Sequence, residues 1–113
     1  MQSISYNEQE RIAAQLEAVQ GRFEELSIRI TLPEVIADTP LFTRLMREHS
    51  DLSELNDIAA AYRRLLDDID AAREMLDDPD MAELAREELP GLEAELDGQT
   101  QAARIALLPR DPD

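Results

Sequence analysis

Ile12, Leu16, Val19, Phe23, Leu26 and Ile30 recur along the first third of this chain at steps of 4, 3, 4, 3 and 4. Alternating steps of three and four keep one apolar stripe facing a partner helix. A strand would need a period of two, which is absent. Ser5 with Glu8 fits a capping box, the Ser5 hydroxyl accepting an unpaired N–H while Glu8 reaches back. The first helix is therefore expected over about residues 5–31, with Pro33 ending it.

Leu32 to Thr39 reads as a connector that holds at most one short turn, Glu34 to Ala37. Thr39 is a candidate N-cap with Pro40 at the first helical position. A second helix follows over about 40–76, with no Gly or Pro after Pro40. It would be roughly 55 Å long. Its apolar residues form two stripes, one through Leu52, Leu55, Ala59, Tyr62, Leu66, Ile69 and Leu76, the other through Ile58, Leu65 and Ala72. A face this wide suits a central helix with two neighbours. Ser50, Asp51 and Ser53 lower helix propensity along the way. Asp78 and Pro79 can start a third helix over about 79–106, whose seam runs Ala85, Leu89, Leu92, Leu96, Gln99, Ala103, Ala106. Pro90 interrupts its hydrogen bonding, but the seam keeps phase across it, so a kink is expected near Leu89–Gly91 rather than a break.

The short second connection forces an antiparallel hairpin. Folding it at Asp77-Asp78 sets Tyr62 near Leu92 and Ala59 near Leu96. Folding the first connector sets Leu26 near Leu45, Val19 near Leu52 and Ile12 near Ala59. The expected architecture is all-α: an antiparallel three-helix bundle, with the second and third helices extending as a two-helix coiled-coil arm beyond Tyr62. The helical domain is expected to occupy residues 1–108. Pro109 and Pro112 disfavour helix around them, so residues 109–113 read as the start of an interdomain linker. A long helix handed to a linker is expected of a chain that ends at a domain boundary.

The 113 residues carry 26 Asp plus Glu against 11 Arg and no Lys, a net charge of −15. Phosphate recognition rests on clustered Lys and Arg, and here the arginines are singletons apart from Arg63-Arg64. Direct nucleic-acid binding is not expected, nor is attachment to an anionic membrane. A basic protein patch would be attracted. There is no Cys, hence no disulfide, thiolate nucleophile or Cys-based zinc site. Residues 1–9 show no basic segment followed by an apolar run, and no stretch reads as a membrane span.

Catalytic, cofactor-binding and metal-binding residues are all expected to be none. Asp77, Asp78, Asp80 and Glu83 suggest calcium ligands at first sight. The mid-loop Gly of an EF-hand is missing, however, and Met81 and Leu84 intrude. Helix capping accounts for Asp78 without a metal. Asp67, Asp68 and Asp70 fall on an outward helix face. His49, the single histidine, is expected on a helix face or seam edge, since a straight bundle supplies no obvious pocket for catalysis and Glu48 and Asp51 do not face it. No phosphate-binding Gly loop, G-x-S-x-G turn or H-E-x-x-H pair occurs.

Two segments resemble a known family. Met75-Leu76-Asp77-Asp78-Pro79-Asp80-Met81, continued by Ala82-Glu83-Leu84-Ala85-Arg86-Glu87-Glu88-Leu89, is similar to the N-terminal region of bacterial peptide chain release factors of the type that reads UAA and UAG. So is the ending Leu107-Leu108-Pro109-Arg110-Asp111-Pro112-Asp113. Arg47-Glu48-His49-Ser50-Asp51-Leu52 is a weaker likeness, within the long second helix. The resemblance implies a parent protein that recognises a stop codon and triggers peptidyl-tRNA hydrolysis. It does so through a Pro-x-Thr and a Gly-Gly-Gln tripeptide, neither of which occurs here. No catalytic or codon-reading residue carries over.

What the resemblance leaves is a non-catalytic, monomeric, cytoplasmic docking domain. Its implied partner is the ribosome, at the stalk base of the large subunit, and it implies no cofactor. The alternative from another class is a stand-alone acidic coiled-coil adaptor, which would self-associate through its seam.

Overall fold

Prolines and seam spacing set the element order. A computed structural model describes residues 6–109. It contains α1 (Tyr6–Arg29), α2 (Pro33–Ile36), α3 (Thr39–Met75) and α4 (Ala82–Ala106), with no strand among the described residues. The expected Ser5 cap and the closing Arg110-Asp111-Pro112-Asp113 lie outside the described residues. α1 and α4 both run antiparallel to α3, and the body measures 60 × 31 × 17 Å.

The helix ends show which capping groups prevail. Pro33 begins α2 rather than merely ending α1, since its missing N–H is no loss at a first turn. At α3 the cap is Asp38, not Thr39: its carboxylate accepts from the Leu41 N–H at 3.2 Å. A carboxylate there also complements the positive end of the helix dipole. α3 is continuous for 37 residues, because Ser50, Asp51 and Ser53 all face solvent. α4 is regular only from Ala82, three residues later than its proline suggested. Asp78 does not cap the helix: Met81 precedes α4 with no side-chain cap, and the Asp78 carboxylate instead accepts from Asp80 N–H at 2.9 Å within the turn. Its carbonyl accepts from Met81 and Ala82, so Pro79 sits in the turn before the helix. α4 then passes through Pro90 without interruption.

Burial follows the two stripes of α3. Ile12 and Leu16 of α1, Ala59, Tyr62, Leu65, Ile69 and Ala72 of α3, and Leu89, Leu96 and Ala103 of α4 form the main core. Leu26, Val35 and Leu45 form a second core, where α2 closes the corner between α1 and α3. Each fully buried Leu or Ile contributes about 1.5–3 kcal/mol.

Counting residues from the turns predicts the α1–α3 register well, since Leu26 does meet Leu45 in one cluster. The α3–α4 register departs from the count: Tyr62 bonds Thr100, not Leu92, because the connection runs through residues 76–81 instead of turning at Asp77-Asp78. Helical side chains lean toward their own N-terminus, so on antiparallel helices Tyr6 and Arg73 lean toward each other and line one groove. The three-helix section therefore reaches past Tyr62, to Arg73, and the paired α3–α4 arm is shorter than expected. At the other end Leu107 and Leu108 lie by Asp51 and Leu55. α4, with 25 residues against 37, cannot cover all of α3, so the first turns of α3 are covered by α1 and α2.

Thr100 is fully buried where the sequence seam named Gln99. Its hydroxyl donates to the Leu96 carbonyl at 2.8 Å. That leaves its oxygen to accept from the Tyr62 hydroxyl at 2.9 Å. A polar residue is tolerated in the core because each member of this relay is satisfied.

The relay predicts an asymmetry in urea unfolding. Tyr62→Phe removes a donor and leaves Thr100 still bonded to Leu96, costing about 1 kcal/mol. Thr100→Val strands a buried phenol hydroxyl and costs more, up to about 3 kcal/mol. The reverse order contradicts the assigned donor directions.

Candidate functional site

The residues that carry charge or ring chemistry group at two places, the α1–α3 junction and an open groove beside it. At the junction Arg22 meets Glu48 in a two-pronged pair, Nε donating at 2.6 Å and Nη2 at 2.8 Å. Arg22 also approaches Glu25 at 3.4 Å. The hydrogen bonds from Arg22 hold the Glu48 carboxyl below its ordinary range, against the opposing effect of desolvation, with Arg29 and Arg44 adding attraction. The same pair raises the Arg22 guanidinium further above its ordinary value.

At the next residue of each helix His49 stacks on Phe23, ring centroids 4.2 Å apart and planes 23° from parallel. Its Nε2 lies 2.9 Å from the Ser27 hydroxyl oxygen. Ser27 spends its own proton on the Phe23 carbonyl at 2.9 Å, so His49 is the donor. The histidine is thus a seam-edge residue that bolts α3 to α1. Sequence reasoning placed it there but named neither partner. Its neighbours supply packing and a hydroxyl acceptor.

The acidic segments divide. Among the described residues no three His, Asp or Glu side chains converge as metal ligands. Asp78 is engaged within its own turn. Asp67, Asp68 and Asp70 are exposed, as an outward face requires. Asp67 and Asp70 also border the groove, which the linear pattern did not reveal.

That groove runs between α1 and α3. One stretch, of about 410 Å³, lies over Leu16, Ala59, Tyr62 and Leu66, flanked by Glu17 and Asp67. A second, of about 250 Å³, continues over Tyr62, Leu66, Ile69 and Leu96 to Tyr6 and Arg73. It exists because Ala13 and Ala59 place methyl groups where the seam elsewhere carries larger side chains. On the far side of α1, Gln9 donates to Asp97 at 3.1 Å and Arg104 to Glu8 at 2.7 Å, fixing α1 against α4. The walls of the groove are helices already tied at several points.

Residues 19–113 match the PCRF domain. The chain belongs to the PCRF domain family. It is 39% identical over 102 residues to peptide chain release factor 1 of Paracidovorax citrulli, which covers 90% of this chain and 28% of that protein. To peptide chain release factor 1 of Pelobacter propionicus it is 41% identical over 97 residues, 86% of this chain and 27% of that protein. The protein of the same name from Geobacter metallireducens is 38% identical over 97 residues, with the same coverage. The chain thus spans about a quarter of the length of these relatives. No solved structure matches it. The matched part of this PCRF domain holds α2, α3, α4 and nearly half of α1, including the Met75–Met81 turn and the Glu48–His49 junction. The release-factor likeness of those segments is therefore shown. Most of the α1 wall of the groove precedes the matched part.

The Arg22–Glu48 pair makes a pH prediction. Glu48 has a folded-state pKa below its unfolded value, so its contribution is complete above the unfolded value of about 4.3 and is lost as pH falls through the folded one. The stability difference between the native chain and Glu48→Gln should be flat near neutral pH and shrink below about pH 4.3. It should also shrink in high salt, since both side chains are more than a third exposed. A difference that grows on acidification contradicts the assignment.

Proposed function

We propose that this chain is a non-catalytic docking domain of a translation termination factor, one that directs stop-codon-dependent release of the nascent peptide on the ribosome. The observation that carries the reading is the match to peptide chain release factor 1 over 90% of this chain and only 28% of that relative. In this reading residues 1–108 are the helical domain and 109–113 begin the linker to the parts that read the codon and hydrolyse peptidyl-tRNA. The Gly-Gly-Gln tripeptide that performs hydrolysis in such factors is absent from this sequence.

Physical chemistry supports a docking role. The groove and the junction offer packing, ion pairs and hydrogen bonds, and the Ser27 hydroxyl beside His49 is tied to the Phe23 carbonyl. A net charge of −15 opposes close approach to RNA phosphates and favours a basic protein surface. On this account the domain meets ribosomal protein at the stalk base of the large subunit, acts as a monomer, and works in the cytoplasm. No described helix is long and apolar enough to cross a membrane.

Co-sedimentation of the chain with purified ribosomes tests the proposal. Binding that weakens about tenfold or more when the stalk-base protein is removed is the expected result. Ribosomes that fail to bind, or that bind equally with and without that protein, refute the docking assignment.

A further inference from the structure

The two stretches of the α1–α3 groove share Ala13, Tyr62, Leu66 and Asp70, so they form one channel. Along α1 it runs from Tyr6 to Gln20, about 21 Å or four helical turns. Its floor is apolar, with Tyr62, Leu66 and Ile69 from α3 and Leu96 from α4. Its rim is acidic. Glu10, Glu17, Asp67 and Asp70 stand against Arg63 and Arg73, leaving the channel net negative. Glu17, Asp67 and Asp70 enter no ion pair among the described residues. These carboxylates are not consumed by the fold.

We propose that this channel docks a basic amphipathic helix of a protein partner, and the proposal rests on the docking role given above. A groove between two helices accepts a third along its length, read by apolar anchors at i, i+3, i+4 and i+7. Leu- or Ile-sized anchors would lie over the half-buried Leu66 and Ala13. Lys or Arg on either flank would meet Glu17 on α1 and Asp67 and Asp70 on α3. Opposite charge then sets the encounter rate and the register, while the apolar floor supplies affinity. Nucleic acid is the wrong occupant, because its phosphates would face the same carboxylates.

The test uses an isotope-labelled full chain and a synthetic helical peptide of about 14 residues, the length of the channel, with Leu on one face and Lys on the other. Amide shifts concentrated at Ala13, Glu17, Leu66 and Asp70 are expected. The exposed double reversal Glu17→Lys with Asp70→Lys should weaken peptide binding at least about tenfold. The reversal Glu87→Lys with Glu88→Lys, an equal charge change on exposed α4 positions, should weaken it by less than about threefold. Shifts spread over all acidic faces, or equal losses in the two variants, overturn the proposal. So does a duplex RNA that shifts the same groove amides. Ribosome binding by the same variants separates the two claims. A peptide seated in the groove without ribosome binding keeps this assignment and removes the ribosomal one.

Discussion

α3 buries apolar side chains on two faces, and an isolated 37-residue helix cannot hide either. Helix propensity alone gives marginal stability in water; packing of the apolar faces supplies the rest. α1 covers Ala59, Tyr62 and Ile69 from one side, with Ile12 and Leu16 in the same core. α4 closes the other with Leu89, Leu96 and Ala103. α2 adds Val35 where α4 no longer reaches. Remove the central helix and the outer elements lose the largest surface each packs against. The buried Tyr62–Thr100–Leu96 relay fixes how α4 is seated on that surface.

Charge is arranged around this core in a way that connects fold to function. The few arginines that act structurally sit at helix junctions: Arg22 on Glu48, Arg104 on Glu8. Such half-exposed pairs add orientation more than stability. Most carboxylates remain on outward faces, including the rim of the α1–α3 groove. The acidic surface favours a basic protein surface as partner and disfavours bare RNA.

Much of this was legible in the residues, for definite reasons. The seam from Ile12 to Ile30 has a period that only a packed helix satisfies. Pro33, Pro40 and Pro79 mark the connections, and counting from the turns pairs Leu26 with Leu45. What escaped depends on side-chain reach and competition. Asp38 outcompetes Thr39 as a cap because its carboxylate reaches the Leu41 N–H. Thr100 enters the core because two partners satisfy its hydroxyl, a fact no linear pattern contains. Arg22 falls opposite Glu48 in the counted register, and that signal was available but unread. The groove was invisible because Ala59 read as an ordinary seam position and Ala13 lay outside the seam. Only packing shows the space they leave. The Met75–Met81 turn pointed to the family directly, since its residues resemble the release-factor pattern.

Native-state hydrogen exchange tests the dependence on α3 most directly. Amides from Ala59 to Ala72, enclosed by α1 and α4, should be the slowest in the chain and should open only with global unfolding. The α3–α4 turn around Asp78 and the first turns of α3 near Thr39, each covered on fewer sides, should open earlier. Middle α3 amides that exchange as fast as those at either end would contradict the account.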